Sequence, residues 1–327
     1  MRDIAVESET WPIAGAFTIS RGSKSEAEVV TVVIHEDGAS GRGECVPYAR
    51  YGETVKDVMA SIRAFARPVS DGMTREELQR AMPRGAARNA LDCALWDLEA
   101  KQKGIPVWKL AGLAEPAPVI TAYTLSLAEP DAMREAARQA AGRPLLKIKL
   151  GGNGEDIARV AAVREGAPDA TLIVDANESW AAADVLPLSR ELARLGVALI
   201  EQPLPAREDE ALRGLDCPVP LCADESAHGL EGLTRLSGLY QFINVKLDKT
   251  GGLTEALSVI RCARRRNLRI MAGCMVATSL AMAPAALIAC EAEFVDLDGP
   301  LLLARDRDHA IRYETSLMHP PPPELWG

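Results

Sequence analysis

Short apolar runs that end in a charged residue recur through the middle of the chain, and this recurrence constrains the fold more than any other feature. Leu172-Ile173-Val174-Asp175 is the clearest case, because an apolar strand gains nothing in packing from a terminal carboxylate. Lys147-Ile148-Lys149 precedes it and Val197-Ala198-Leu199-Ile200-Glu201 follows it. The series continues through Leu221-Cys222-Ala223-Asp224, Ile243-Asn244-Val245-Lys246, Met271-Ala272-Gly273 and Val295-Asp296-Leu297-Asp298, and it begins at Ala122-Tyr123-Thr124. From Lys149 onward successive ends lie about 22 to 27 residues apart, the length of one strand plus one helix. Strands alternating with helices at this spacing form parallel β/α units, and eight of them predict a closed barrel. An open doubly wound sheet is the alternative, but the chain has neither a GxGxxG nor a GxxxxGK(S/T) phosphate loop.

The first third breaks the period. Residues 27–36 are rich in β-branched side chains and end at the turn pair Asp37-Gly38, after which 41–45 is extended again, the pattern of an antiparallel hairpin. Helical spacing follows at 54–65, 74–82 and 86–103. The last of these sets Ala90, Leu91, Ala94, Leu95 and Leu98 on one face, with Gly104 as its stop. Pro116-Ala117-Pro118 marks a boundary. The fold expected is α/β: a (β/α)7β TIM-like barrel over 116–304, with an N-terminal α+β capping domain over 1–115 to which the tail 305–327 returns.

A net charge of −9 without a basic stripe argues against a nucleic-acid partner. The seven cysteines are scattered and lack CxxC spacing, as expected of reduced thiols in a cytoplasmic chain. Acids at Asp3 and Glu7 interrupt what a signal peptide needs as an apolar core. The uncharged tract 270–290 is long enough to span a bilayer. It holds Gly273, Thr278, Ser279 and Pro284, however, and reads as a buried strand, a loop and an apolar helix. No membrane partner is expected, and the sequence leaves a homo-oligomer open.

In a β/α barrel the strand ends converge on one face, so residues far apart in sequence meet there. Asp175, Glu201 and Asp224 come from three successive units. One such acid reads as a helix cap or the partner of a lysine, but three side by side repel unless a cation neutralises them. An all-oxygen set suits Mg2+ better than Zn2+. Lys149 and Lys246 flank the trio, where two lysines face opposite sides of one carbon. Partial desolvation, a second ammonium and a divalent cation are expected to bring a lysine from about 10.4 towards roughly 7–8, where it serves as a base. Salt bridges to the acids are the plainer alternative. Lys147 points the same way as Lys149 and is placed to hydrogen-bond a substrate carboxylate. Asp296 and Asp298 form an anion pair with no basic residue nearby in sequence, which suits a substrate ammonium or, more plainly, Lys246 or Lys249. Thr124, at the end of the first strand, belongs with these substrate-facing residues.

The set Lys147-x-Lys149, Asp175-x-Asn177, Glu201-Gln202-Pro203, Ala223-Asp224-Glu225-Ser226, Lys246-x3-Thr250-Gly251-Gly252 and Asp296-x-Asp298-Gly299-Pro300 resembles the enolase superfamily, in its muconate-lactonizing-enzyme subgroup. The likeness is greatest to dipeptide epimerases, and it covers nearly the whole chain. It implies a capped barrel in which Mg2+ binds the substrate carboxylate and stabilises an enediolate. It further implies Asp175, Glu201 and Asp224 as metal ligands, Lys149 as acid/base for the S proton and Lys246 for the R proton. Asp296 and Asp298 would take the dipeptide α-ammonium. Specificity would come from the capping-domain loops 17–25, with Arg21 and Lys24, and 46–54, with Arg50 and Tyr51. Arg21 is the first choice to meet an anionic side chain because a guanidinium forks onto a carboxylate, and Lys24 is the second. The activity implied is 1,1-proton transfer between L-Ala-L-Glu and L-Ala-D-Glu, in cytoplasmic recycling of murein peptides. The alternatives are a lyase or cycloisomerase of the o-succinylbenzoate synthase or muconate cycloisomerase type and, outside enzymes, an inactive peptide-binding barrel.

Overall fold

The computed structural model describes residues 2–327. Its N-terminal part is a three-stranded antiparallel sheet in the order β1 (Asp3–Ile19), β2 (Gly22–Glu36), β3 (Ala39–Cys45). The sequence pattern shows β2 and β3 but not β1, a 17-residue strand that pairs with β2 over residues 3–12 and 17–19, with a register shift between. β1 is an edge strand with several exposed positions, acids and a proline, and its apolar alternation is interrupted, Ile4 and Val6 giving way across residues 7–10 to Trp11 and Ile13 on the other parity. Residues 17–25, expected as a loop, are instead the closed end of this hairpin: Ile19 pairs with Gly22, leaving Ser20 and Arg21 as the turn.

Helices α1 (Val55–Ala64), α2 (Ala66–Ser70), α3 (Arg75–Ala81), α4 (Ala86–Lys103) and α5 (Val107–Leu110) complete this domain. Thr54 caps α1, and Thr74 with Glu77 forms a capping box on α3. The apolar face of α4 buries Ala90, Leu91, Ala94, Leu95 and Leu98 with Val30, Val32 and Ile34 of β2.

After β4 (Val119–Ile120) the barrel begins. It runs β5 (Tyr123–Leu125), α6 (Pro130–Gln139), β6 (Leu145–Lys149), α7 (Asp156–Gly166), β7 (Thr171–Asp175), α8 (Ala182–Arg194), β8 (Val197–Glu201), then a 3-10 turn (Ala206–Leu212) where a helix was expected. It continues β9 (Leu221–Ala223), α9 (Leu233–Leu236), β10 (Phe242–Val245), α10 (Leu247–Thr250), α11 (Leu253–Arg264), β11 (Arg269–Gly273), α12 (Ser279–Ala289), β12 (Phe294–Asp296). Strands β5 to β12 lie side by side in chain order and run parallel, and Ala122 N–H donates to Val295 O at 2.8 Å to close the ring. The tract 270–290 is β11, a loop and the buried α12; no helix among the described residues is long and apolar enough to cross a membrane. All seven cysteines are free thiols. In the tail, β13 (Tyr313–Glu314) pairs with β14 (Leu317–Met318), and β14 with β4. The chain ends against α4, where Trp326 Nε1 donates to Cys93 O at 3.1 Å and Gly327 N–H to Asp97 Oδ1 at 2.7 Å.

Strand parity places the site. Leu145, Ile173, Leu199, Cys222, Phe242 and Met271 form one buried cluster across successive strands at the bottom of the barrel. Two or four residues further along the same faces come Lys147, Lys149, Asp175, Glu201, Asp224 and Lys246, all buried. The interior thus changes from apolar to charged within one period.

The two domains meet through buried polar groups on α4. Asp92 accepts from Thr254 N–H at 2.9 Å and Thr254 Oγ1 at 2.6 Å, satisfying an otherwise open amide at the start of α11, and from Gln79 Nε2 at 2.9 Å. Burial outweighs these bonds and pushes the Asp92 carboxyl from 3.8 up to about 6. A carboxyl raised by folding binds its proton more tightly in the folded state. Its contribution is therefore fully present below about pH 4 and is lost as pH rises through about 6. Asp92→Asn removes this dependence. Thermal melts from pH 4 to 7 should show the unmodified chain losing about 3 kcal/mol relative to the variant, and parallel curves would contradict the assignment.

Candidate active site

At the top of the barrel the three carboxylates stand in a row with a lysine at each end. Lys149 Nζ donates to Asp175 Oδ2 at 2.6 Å, and Lys246 Nζ donates to Asp224 Oδ2 at 2.8 Å. In strand register, Lys149 pairs with Asp175 and Asp175 with Glu201. Lys147 lies under the row, with Nζ 2.6 Å from Glu201 Oε2, 2.7 Å from Asp296 Oδ2 and 3.4 Å from Asp175 Oδ2. The basic partner of Asp296 is thus Lys147 rather than Lys246 or Lys249, which pair with Asp224; strand order hides Lys147 until the barrel closes. Asp296 Oδ1 is buried without a hydrogen-bond partner. Asp298 accepts from Thr124 N–H at 2.6 Å across the closing seam.

Two residues of the site carry no clear signal in the sequence. Lys249 is buried and its ammonium touches Asp224 Oδ1 at 2.6 Å and Asn244 O at 2.9 Å, so Asp224 lies between two lysines. Asn244 Nδ2 donates to Glu201 Oε1 at 2.7 Å. Gly273 leaves the space for it, since a Cβ there would stand 2.3 Å from Asn244 Oδ1. Asn244 belongs to the inward parity of its strand, which was the available clue.

The pKa directions follow from this packing. Burial raises the Asp175 carboxyl, but Lys149 and Lys147 outweigh it and hold the group down at about 2. For Glu201 burial is reinforced by the Asp175 charge, and the carboxyl rises to about 7. Asp298 is also pushed to about 7, by burial and by Asp296. Burial opposes the charge on Lys246, yet Asp224 and Glu201 prevail and hold its ammonium well above the ordinary range. The expected downward shift of this lysine is therefore not produced by the chain's own charges.

A cavity of about 620 Å³ opens over the row, and Lys149, Lys246, Lys147, Thr124, Asp296 and Asp298 line it from the barrel. Arg21, Lys24 and Tyr51 line it from the capping domain. Arg21 donates to Glu225 Oε1 at 2.8 Å, Asn177 O at 2.9 Å and Tyr48 Oη at 3.3 Å. Lys24 Nζ lies 5.6 Å from the Tyr48 ring centre, and Tyr51 meets His228 edge-on at 4.7 Å. These residues share one chamber, with Asp175 and Glu201 buried alongside it.

Among the described residues no group of three His, Cys, Asp or Glu side chains is gathered as a ready metal cage, because lysine ammoniums stand between the carboxylates. The donors nonetheless fit a hard divalent cation. Asp175, Glu201 and Asp224 offer only oxygen, and Glu201 Oε2, though 2.6 Å from Lys147, is a buried acceptor with no hydrogen aimed at it.

Fold and site together define a capped β/α barrel with acids between two lysines at its mouth, and comparison with known proteins gives the family. Residues 1–112 match the mandelate racemase / muconate lactonizing enzyme N-terminal domain, and residues 131–322 match the enolase C-terminal domain-like family. The chain belongs to this family of the enolase superfamily. It is 48% identical to an L-Ala-D/L-Glu epimerase of Escherichia coli K12, over 98% of this chain and 100% of that one. It is 47% identical to an N-acetyl-D-glutamate racemase of a Pseudoalteromonas species, over 91% and 95%. Among solved structures, an enolase family member from Agrobacterium tumefaciens with homology to dipeptide epimerases, holding sodium and L-Ala-L-Glu, is 52% identical and covers 100% of both chains with a TM-score of 0.98. A dipeptide epimerase of Enterococcus faecalis V583, complexed with Mg and L-Leu-L-Tyr, is 29% identical over 97% of this chain and 96% of that chain, with a TM-score of 0.91.

Proposed function

We propose that this chain is a Mg2+-dependent dipeptide epimerase that transfers the α-proton of the C-terminal residue from one face to the other, with L-Ala-L-Glu and L-Ala-D-Glu as the preferred pair. One observation carries the reading: Lys149 and Lys246 stand at opposite ends of the carboxylate row, within 2.6 and 2.8 Å of its end members. From the S epimer Lys149, as a free amine, takes the α-proton and becomes an ammonium. Lys246, as an ammonium, gives a proton to the opposite face and becomes an amine, and the R epimer reverses both roles. Mg2+, held by Asp175, Glu201 and Asp224, supplies a Lewis acid for the substrate carboxylate, on which negative charge builds as the proton leaves. Carboxylates committed to a cation also cease to hold Lys246 in its charged form, as a base at that position requires.

Asp296 and Asp298 take the α-ammonium in this reading. Asp296 Oδ1 is free for a donor, and both carboxylates line the chamber. Arg21 takes the glutamate side chain, supported by Lys24 and Tyr51 at the same mouth. The relatives from E. coli and Pseudoalteromonas have in common names that specify glutamate. A cytoplasmic place in the recycling of murein peptides accompanies this reading.

The Pseudoalteromonas relative favours a second reading, racemisation of an N-acylated glutamate, which has no ammonium to bind. Asp298→Asn separates the two. For a dipeptide epimerase kcat/KM on L-Ala-L-Glu falls about 10- to 100-fold, the loss of a hydrogen bond to a charged group, while any activity on N-acetylglutamate is unchanged or improved. Equal activity of variant and unmodified chain on the dipeptide would favour the N-acyl substrate. A dipeptide library incubated in deuterium oxide and read by mass spectrometry then ranks the second residue.

A further inference from the structure

The two lysines are anchored from different domains. Beyond Lys149 the chain turns at Gly151 and Gly152, and a barrel residue holds the turn. Asp156 accepts from both amides at 3.0 Å and is itself fixed by Trp180 Nε1 at 2.8 Å and Arg159 Nη1 at 3.1 Å.

Beyond Lys246 the grip comes from α4 of the capping domain. Lys246 is the residue before α10, and its carbonyl accepts from Thr250 N–H at 3.0 Å. Arg88 donates to Thr250 O at 2.7 Å and to Gly251 O at 3.1 Å. Asn89 Nδ2 donates to Asp248 Oδ1 at 2.9 Å, and the same oxygen accepts from Val46 N–H at 3.0 Å, where the 46–54 segment begins. The fit leaves no slack: Gly251 has φ +74°, and a Cβ on it would lie 2.6 Å from Arg88 Nε. Asn89, Arg88 and Asp248 are all buried. The capping domain reaches Lys149 through the Phe17 ring, centred 5.7 Å from Nζ, and that contact holds a side-chain tip rather than the backbone.

We infer that α4 is the positioning element for Lys246, acting through Asn89, Arg88 and Asp248, and that Asp156 does the same for Lys149 from within the barrel. The inference rests on the two-base reading above. Its consequence is that the proton transfers can be uncoupled, because displacing one nitrogen by about 1 Å costs on the order of 100-fold at that lysine alone.

Asn89→Leu keeps the branched shape and the number of side-chain heavy atoms and removes the donor. With L-Ala-L-Glu in deuterium oxide, Lys149 still removes the α-proton, so deuterium enters the unreacted L-Glu epimer while inversion falls. The ratio of exchange to inversion rises at least about tenfold, as the displaced Lys246 delivers its proton more slowly. With L-Ala-D-Glu, exchange and inversion fall together. Asp156→Asn, at the other anchor, gives the mirror image, and Asn89→Gln, which keeps a donor, moves the ratio back towards that of the unmodified chain. Should Asn89→Leu fail to fold by circular dichroism, Arg88→Met carries the same reading. Equal losses from both epimers, or the same split from both anchors, would overturn the assignment. An unmodified chain that exchanges neither epimer would refute the two-base reading, and the inference with it.

Discussion

Lys246→Met and Lys149→Met each lose epimerisation by about 10²- to 10⁴-fold in kcat, in both directions, while the fold persists. The loss follows from the two-lysine reading: inversion needs a base on one face and an acid on the other, and the neighbouring buried lysines are engaged elsewhere, Lys147 with Glu201 and Asp296 and Lys249 with Asp224 and Asn244 O. The fold persists because each partner carboxylate keeps other contacts. Without Lys246, Asp224 retains Lys249 at 2.6 Å; without Lys149, Asp175 retains Lys147 at 3.4 Å and the Asn177 amide at 2.9 Å. Methionine also preserves most of the buried aliphatic stem. Far-UV circular dichroism and a thermal melt beside the rate measurement establish the point, and undiminished turnover in either variant would remove that lysine from the chemistry.

Asp224→Ala has a large effect of a different kind. Its carboxylate is the shared partner of Lys246 and Lys249, both buried, and burial of the carboxyl is outweighed by those two charges, which hold it well below the usual range. Removing it leaves two ammoniums confined together without their shared counter-ion, a change that costs about 3–5 kcal/mol. Chemical denaturation reads the loss directly. The double variant Asp224→Ala/Lys249→Met should recover part of it, since one stranded charge is gone. Asp224→Ala should also lose the rise in Tm that added Mg2+ gives the unmodified chain, because a ligand stabilises only the state that binds it. A variant of unchanged stability that still responds to Mg2+ would place the cation elsewhere.

The legible parts of this molecule were those written locally. A charge closing an apolar run is visible without any structure, and because every barrel strand obeys the same inward parity, Asp175, Glu201, Asp224, Lys149 and Lys246 could be assembled from spacing alone. Gly104 marked a helix end through chemistry confined to a few residues, and the helical spacing at 54–65 and 74–82 begins at the residues that cap α1 and α3. What stayed hidden depended on distant partners. The edge strand β1 carries an apolar alternation that shifts parity between Val6 and Trp11, so no continuous period betrays it. Asp296 finds Lys147 only when β12 closes towards β5, and Lys249 sits in a helical turn whose direction a strand period cannot give. The polar residues of α4, Arg88, Asn89 and Asp92, lie opposite the face of Ala90, Leu91, Ala94, Leu95 and Leu98, and nothing local tells of their barrel partners at 248–255.

The central claim is a proton passed between two lysines across one carbon, and its most direct test is a single incubation. L-Ala-L-Glu is held with the protein and Mg2+ in deuterium oxide, with a parallel sample in excess chelator, and the Glu α-position is followed by proton NMR with chiral separation of the products. The account predicts that the L-Ala-D-Glu formed carries deuterium at that carbon and that the chelator stops the reaction. Inversion that retains the original proton, or stable protonation at that carbon in both epimers when Mg2+ is present, would contradict it.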